Sequence, residues 1–200
     1  VAVDKEVSSY SADPEMGELG GGELAFHSDL SCTPEPLQGI SLHALAVEER
    51  SSVTVFVDAV AAARGLPADL AARLAGLHVM NLWPLSLNRR QRRENAPPGW
   101  PGTAHPVLKA HPRTGEPIVY CNASHSDRIV ELAEAESESM IQELFARLYA
   151  PANRYEHRWQ GGDFIVGDNL ALQHARPAVP PGVVRTLQRV WPTTRLTWII

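Results

Sequence analysis

Leucine and alanine alternate with polar residues in Ser41-Leu42-His43-Ala44-Leu45, the period of a strand with one buried face. A strand is therefore expected from Ile40 to Ala46, with His43 a structural residue on the face of Ser41 and Leu45. Before it, a stretch from Gly20 to Ile40 rich in Gly, Pro and small polar residues surrounds a short strand from Glu23 to Asp29. The alanine-rich segments Val57 to Arg64 and Ala68 to Ala75 are each followed by a glycine, Gly65 or Gly76, and predict two short helices. Pro106 to Ala110 and Pro117 to Cys121 can pair across a turn at Pro112-Arg113-Thr114-Gly115. Met140, Ile141, Leu144, Phe145 and Leu148 recur at helical spacing, with Glu134, Glu136 and Glu138 toward the favourable end of the dipole, so Glu134 to Tyr149 is expected to be one amphipathic helix. Strands are expected again at Tyr155 to Trp159, Phe164 to Asp168 and Arg185 to Trp191, with a last one from Arg195. Between Trp83 and His105 the prolines and lack of apolar periodicity predict a long loop, and residues 83–104 are read as lid-like. Strands at both ends with helices inserted between them suit a mainly β, barrel-like pair of sheets better than alternating β-α units.

Composition narrows the class. Two hundred residues, 44% hydrophobic and 20% charged, fit a single domain over residues 1–200. The chain opens on Val1, and the expectation is that an N-terminal segment is lacking. A net charge of -5 argues against a nucleic-acid partner, and the local run Arg89-Arg90-Gln91-Arg92-Arg93 is read as a solvated, mobile loop. Cys32 and Cys121 form no paired motif, so a reducing, cytoplasmic setting is expected. No apolar run is long enough for a membrane span and no signal peptide opens the chain, so no membrane partner is expected. A homo-oligomer is left open.

Candidate chemistry lies in histidines and carboxylates at metal-ligand spacing. His27-Ser28-Asp29 would place an imidazole and a carboxylate on one face of a strand. His174 could close the site, because two histidines and one carboxylate leave open positions on a non-haem iron(II) ion. Arg185 would then clamp the far carboxylate of an organic acid through paired N–H donors. His125-Ser126-Asp127 offers the same dyad, and spacing to His174 does not decide between the two.

Resemblance separates them. Glu23-Leu24-Ala25-Phe26-His27-Ser28-Asp29, Thr54, His105-Pro106-Val107, His111-Pro112-Arg113-Thr114-Gly115, Asn122 and Arg128-Ile129-Val130 resemble the taurine dioxygenase family of iron(II)/2-oxoglutarate oxygenases. So do Trp159-Gln160-Gly161-Gly162-Asp163, Asp168-Asn169, His174, Arg185 and Arg189, in order and spacing. This resemblance implies a double-stranded β-helix of the jelly-roll, cupin-like kind. It implies His27, Asp29 and His174 as Fe(II) ligands, Thr54 and Arg185 as contacts to the cosubstrate 2-oxoglutarate, and O2 as oxidant. It places Cys32, Leu82, Asn122, His125 and Arg189 on the substrate side, Arg189 where an anionic group is held. Arg50-Ser51-Ser52-Val53 stands before Thr54 where the family usually has glycines. Related halogenases replace the ligand carboxylate with a small residue, so Asp29 favours hydroxylation, desaturation or ring-forming oxidation over chlorination. The expected activity is 2-oxoglutarate decarboxylation to succinate coupled to C–H oxidation of a small, anionic or natural-product substrate. The alternative is a non-catalytic metal- or ligand-binding member of the same fold. Trp159, Trp191 and Trp198 are read as core or sheet-face residues, and Asp168-Asn169 as a strand end whose side chains turn the chain toward His174.

Overall fold

The computed structural model describes residues 7–11, 20–48 and 53–190. Thirteen strands and three helices run in the order β1 (Val7–Ser11), β2 (Leu24–His27), β3 (Gly39–Val47), β4 (Val53–Asp58), α1 (Ala59–Arg64), α2 (Ala68–Leu74), β5 (His78–Leu82), β6 (Gly102–Pro106), β7 (Leu108–Ala110), β8 (Pro117–Val119), β9 (Ser126–Ile129), α3 (Glu134–Leu148), β10 (Arg154–Arg158), β11 (Phe164–Asp168), β12 (Leu172–Arg176) and β13 (Arg185–Val190). The mainly β expectation holds. Two four-stranded antiparallel sheets, ordered β1-β13-β3-β11 and β10-β4-β12-β2, form the jelly-roll pair, with a smaller sheet β6-β5-β9 and the hairpin β7-β8 beside it.

Alternation along single strands gives the second sheet two different faces. On β4, Thr54 and Phe56 turn toward the first sheet, where Thr54 meets Arg185 and the Phe56 ring lies 6.2 Å from that of His174. Val57 turns the other way, into a core with the buried Leu74, Val79, Ile129, Ile141, Leu144 and Leu148. Phe26 of β2 lies on that side too and stacks on Tyr149 with ring centroids 4.4 Å apart. The helices therefore back the sheet, and its opposite face is left for polar side chains. A smaller core of Leu42, Ala44, Trp159 and Leu187 lies apart from the helical one.

Several boundaries differ from the sequence reading. Val57 and Asp58 close strand β4 and the helix begins at Ala59, because Asp58 Oδ1 accepts from the N–H groups of Val60 and Ala61 at 2.8 and 2.9 Å and caps it. Gly65 follows α1 with φ of -82°, so no left-handed residue ends that helix. β1, β4, β5, β6, β9 and β12 were not expected, and β6 shortens the predicted loop to residues 83–101. Gly102 fits there because a Cβ would lie 2.7 Å from both Asn81 O and the Leu82 side chain. The turn of the hairpin β7-β8 uses Gly115 at φ of +74°.

The basic run is not simply solvated. Arg89 and Arg93 are exposed, but Arg90 and Arg92 fold inward. Arg90 donates to both Glu138 oxygens at 2.8 Å, to Ser126 O at 2.5 Å and to Asp127 O at 2.7 Å. Arg92 adds a bond to Glu138 at 2.7 Å. The strand expected from Arg195, together with Trp191, Trp198 and residues 50–52 ahead of Thr54, lies outside the described residues. No helix among the described residues is long and apolar enough to cross a membrane.

Candidate active site

Strand register brings the first two candidate ligands together. β2 and β12 are antiparallel neighbours in which His27 faces His174, and the imidazole centroids are 4.3 Å apart. His27 Nδ1 is 2.8 Å from Ala25 O. A carbonyl can only accept, so Nδ1 carries the hydrogen and Nε2 keeps its lone pair. That Nε2 lies 3.5 Å from Asp29 Oδ1, and His174 Nε2 lies 3.9 Å from the same oxygen. Ligand atoms of the three residues all fall within 4.8 Å of one another. The spacing is too wide for direct hydrogen bonds and suits an ion between the three groups. Burial, then the neighbouring His27, pushes His174 well below its ordinary pKa, which favours the neutral, ligating imidazole.

Asp29 reaches this point from a turn, since β2 ends at His27. Leu30, the next residue, has φ of +56°, uncommon for a residue with a side chain. Asn169 holds the turn: its Oδ1 accepts from the Asp29 N–H at 2.8 Å, and its Nδ2 donates to Asp29 O at 2.8 Å and Leu37 O at 2.7 Å. Of the pair Asp168-Asn169, only Asp168 makes the expected local turn bonds, to the N–H groups of Leu170 and Ala171. Its other oxygen pairs with His111 and Arg113, so the His-Pro-Arg-Thr-Gly hairpin anchors the corner ahead of β12.

Arg185, Leu187 and Arg189 alternate along β13 and line one cavity with Leu24, His27, Leu42, Thr54, His174 and Arg176. Arg185 is 4% exposed. Its Nη2 is 3.3 Å from Thr54 Oγ1, while its Nε has no hydrogen-bond partner and no carboxylate pairs with it among the described residues. Burial, and secondarily Arg176, lowers its pKa to about 9. A buried cation with this little compensation favours an anionic partner. Thr54 is fixed in turn by the Trp159 indole N–H at 2.9 Å. Trp159 is thus a core residue, as expected, that also fixes the Thr54 hydroxyl.

The remaining candidates fall in two places. Arg189 Nη1 lies 2.8 Å from Asp29 Oδ2, so it touches the candidate ligand directly. His125 packs beside His27 with ring centroids 6.3 Å apart, and burial, then His27, lowers its pKa to about 4. Leu82 and Asn122 hydrogen-bond His125, Cys32 is buried, and none of the three lines the Thr54–Arg185 cavity. Asp127 of the rival dyad turns away to Arg92 and the Arg93 N–H. Sequence reasoning missed Arg176, two residues past His174 and buried in the same cavity, where it donates to Gly20 O and Gly22 O. It also missed the hold of Asn169 on Asp29, of which only the adjacency to Asp168 gave a hint.

The profile of the taurine catabolism dioxygenase TauD, TfdA family matches residues 2–191. The chain is 29% identical over 199 residues to pentalenolactone F synthase of Streptomyces arenae, covering 92% of this chain and 67% of that protein. It is 28% identical to the (S)-phenoxypropionate/alpha-ketoglutarate-dioxygenase of Sphingobium herbicidovorans, over 87% of this chain and 63% of that one. A taurine dioxygenase crystal structure from Burkholderia xenovorans superposes with a TM-score of 0.78 at 23% identity, covering 96% of this chain and 65% of that one, a likeness of fold. The chain thus spans about two thirds of the length of these relatives. With the profile matched along almost its whole length, the chain belongs to the TauD/TfdA dioxygenase family.

Proposed function

We propose that this chain is the catalytic core of an iron(II)- and 2-oxoglutarate-dependent dioxygenase. It would couple decarboxylation of 2-oxoglutarate to succinate with hydroxylation or a related C–H oxidation of a small molecule. One observation carries the reading: His27 and His174, which cluster with Asp29 at ligand spacing, line one cavity with the buried Arg185, which pairs with no carboxylate among the described residues. A protein that only held a metal would have no use for the second feature.

The donor set fits iron(II). Two neutral imidazoles and one carboxylate leave a net positive charge and positions for a 2-oxo acid and O2. When bound, the metal supplies the activation of O2 for both oxidations. His27 is presented through Nε2 because Ala25 O holds its other nitrogen, and Arg189 orients the Asp29 carboxylate. Arg185 and Thr54 would receive the distal carboxylate of 2-oxoglutarate, while Leu24, Leu42 and Leu187 supply apolar wall that excludes water. Cys32, Leu82, Asn122 and His125 would form the substrate side, and loop 83–101 would border it, tied to β2 by the bond from Ala25 N to Leu87 O at 2.8 Å.

The test is succinate release from 2-oxoglutarate by the iron-loaded protein against a panel of small acids and natural-product intermediates, with His174→Ala as control. Iron-dependent release is expected, lost in the variant. Intact metal binding without succinate from any substrate would favour the non-catalytic member of the fold.

A further inference from the structure

We propose that His125 is the hydrogen-bond acceptor that recognises the substrate, and that the substrate offers it a hydroxyl or N–H group in place of a carboxylate or sulfonate. The position of the substrate rests on the oxygenase reading above.

Geometry fixes which nitrogen is available. His125 Nδ1 lies 3.1 Å from Leu82 O, and the Leu82 N–H donates to His125 O at 2.8 Å. Leu82 O can only accept, so the proton sits on Nδ1 and Nε2 presents a lone pair. That Nε2 is buried in a residue 3% exposed and has no hydrogen-bond partner among the described residues. Buried side-chain nitrogens are rarely left so, and an orphaned acceptor beside a reaction site calls for an external donor.

The orphan is held in place by bonds that do no other visible work. Asn122 Oδ1 accepts from the N–H groups of Ser124 and His125 at 3.2 and 2.8 Å, and its Nδ2 donates to Ser31 Oγ at 3.0 Å. Ser126 Oγ bridges the Asn122 N–H and Asn81 Oδ1 at 2.8 and 2.7 Å. The Ser124 N–H donates to Phe26 O, along the edge of β2 opposite to β12. His125 therefore stands across His27 from the Thr54–Arg185 clamp, on the side that remains when a 2-oxo acid takes the clamp. A carboxylate there would set its lone pairs against that of Nε2, with apolar Leu82 as neighbour. A hydroxyl or N–H would satisfy it.

The test uses protein labelled with [15N]histidine and loaded with diamagnetic Zn(II) and 2-oxoglutarate, so that binding is read without turnover. The probes are phenol, cyclohexanol and indole, their methyl-capped partners anisole, methoxycyclohexane and 1-methylindole, and benzoate. We expect each donor to move the His125 Nε2 resonance upfield and to bind about tenfold more tightly than its capped partner. His125→Asn keeps a donor for Leu82 O but has no atom at the Nε2 position, and should lose the preference. His125→Gln, whose amide reaches that position, should keep it. Equal binding of capped and uncapped probes, tighter binding of benzoate, or an Nε2 resonance that no donor moves would overturn the proposal and leave His125 a structural residue. Absence of succinate release in the separate turnover assay would sink the oxygenase reading while a donor preference at His125 still stood.

Discussion

Asn169→Ala would show how far the candidate metal site depends on a residue that never touches the ion. The three bonds from Asn169, two of them to the backbone of Asp29, are 2.7 to 2.8 Å long and lie in a residue 1% exposed. Each is worth about 1 kcal/mol net, and a buried amide or carbonyl orphaned by the truncation costs about 1–3 kcal/mol more. The variant should therefore lose about 3–5 kcal/mol of stability. The turn it frees contains Leu30 at φ of +56°, a conformation costing about 1–2 kcal/mol that persists while its surroundings enforce it. Once released, Asp29 should drift from the two imidazoles, and metal affinity should fall about 10–100-fold, the usual effect of removing the group behind a ligand. Urea unfolding of the metal-free protein gives the first quantity, and calorimetric titration with Mn(II) the second. Ser28→Ala, which removes a single 3.1 Å bond to Leu172 O, is the control and should cost about 1 kcal/mol or less. Wild-type Mn(II) affinity in Asn169→Ala would refute the idea that this side chain sets the position of Asp29.

Four further outcomes follow from the same geometry. His174→Ala should abolish metal binding whereas His125→Ala spares it, as judged by the same titration, and the reverse would restore the rival dyad. Arg185→Lys should raise the 2-oxoglutarate concentration needed for succinate release by about tenfold or more with metal affinity unchanged, since an ammonium lacks the planar fork of donors. In the metal-free protein His125 titrates near 4 against an ordinary value of 6.5. On acidification the unfolded chain takes up this proton first, so the stability is fully present above pH 6.5 and is lost as pH falls toward 4, by up to about 3 kcal/mol; urea midpoints at pH 7.5, 5.5 and 4.5 should converge for His125→Phe, with the residual slope carrying the same sign from His174. Glu138→Gln weakens the anchor of Arg90 and Arg92, and amide exchange at Gln91, whose N–H bonds Ser124 O at 2.7 Å, should speed up; unchanged exchange would mean that the backbone bonds alone hold the loop.

Where a strand buries apolar residues on one side, as β3 does with Leu42 and Ala44, its alternation was legible and the boundaries came out close. The same holds for α3, whose stripe at Met140, Ile141, Leu144 and Leu148 is buried as its spacing predicts. Several of the strands that sequence reasoning missed carry polar side chains inward. β12 buries Gln173 and Arg176 and presents His174, β5 buries Asn81, and β9 buries Ser126 and Asp127. Hydrophobic periodicity fails there because hydrogen bonds and register, in place of apolar contact, make those positions compatible with burial. Gln173 illustrates it: its side-chain amide donates to Cys121 O and accepts from Tyr149 Oη.

The candidate ligands were legible for a different reason. Their residue types are chemically restricted, so a resemblance of motifs could name them even where no strand was foreseen. Partners that any polar residue could supply left no such mark: Asn169 looked like a turn residue, and Arg176 carried no motif that singled it out. The substrate side is harder still, because the neighbours of His125 become informative only when folded. Leu82 O reveals which nitrogen is protonated, and the bond from Ser124 N to Phe26 O reveals which side of His27 the ring occupies. Neither contact has a sequence signature, since both run through backbone atoms that every residue possesses. On the proposed reading, the choice of substrate is written where the small sheet meets the edge of β2, in a contact between segments that lie far apart along the chain.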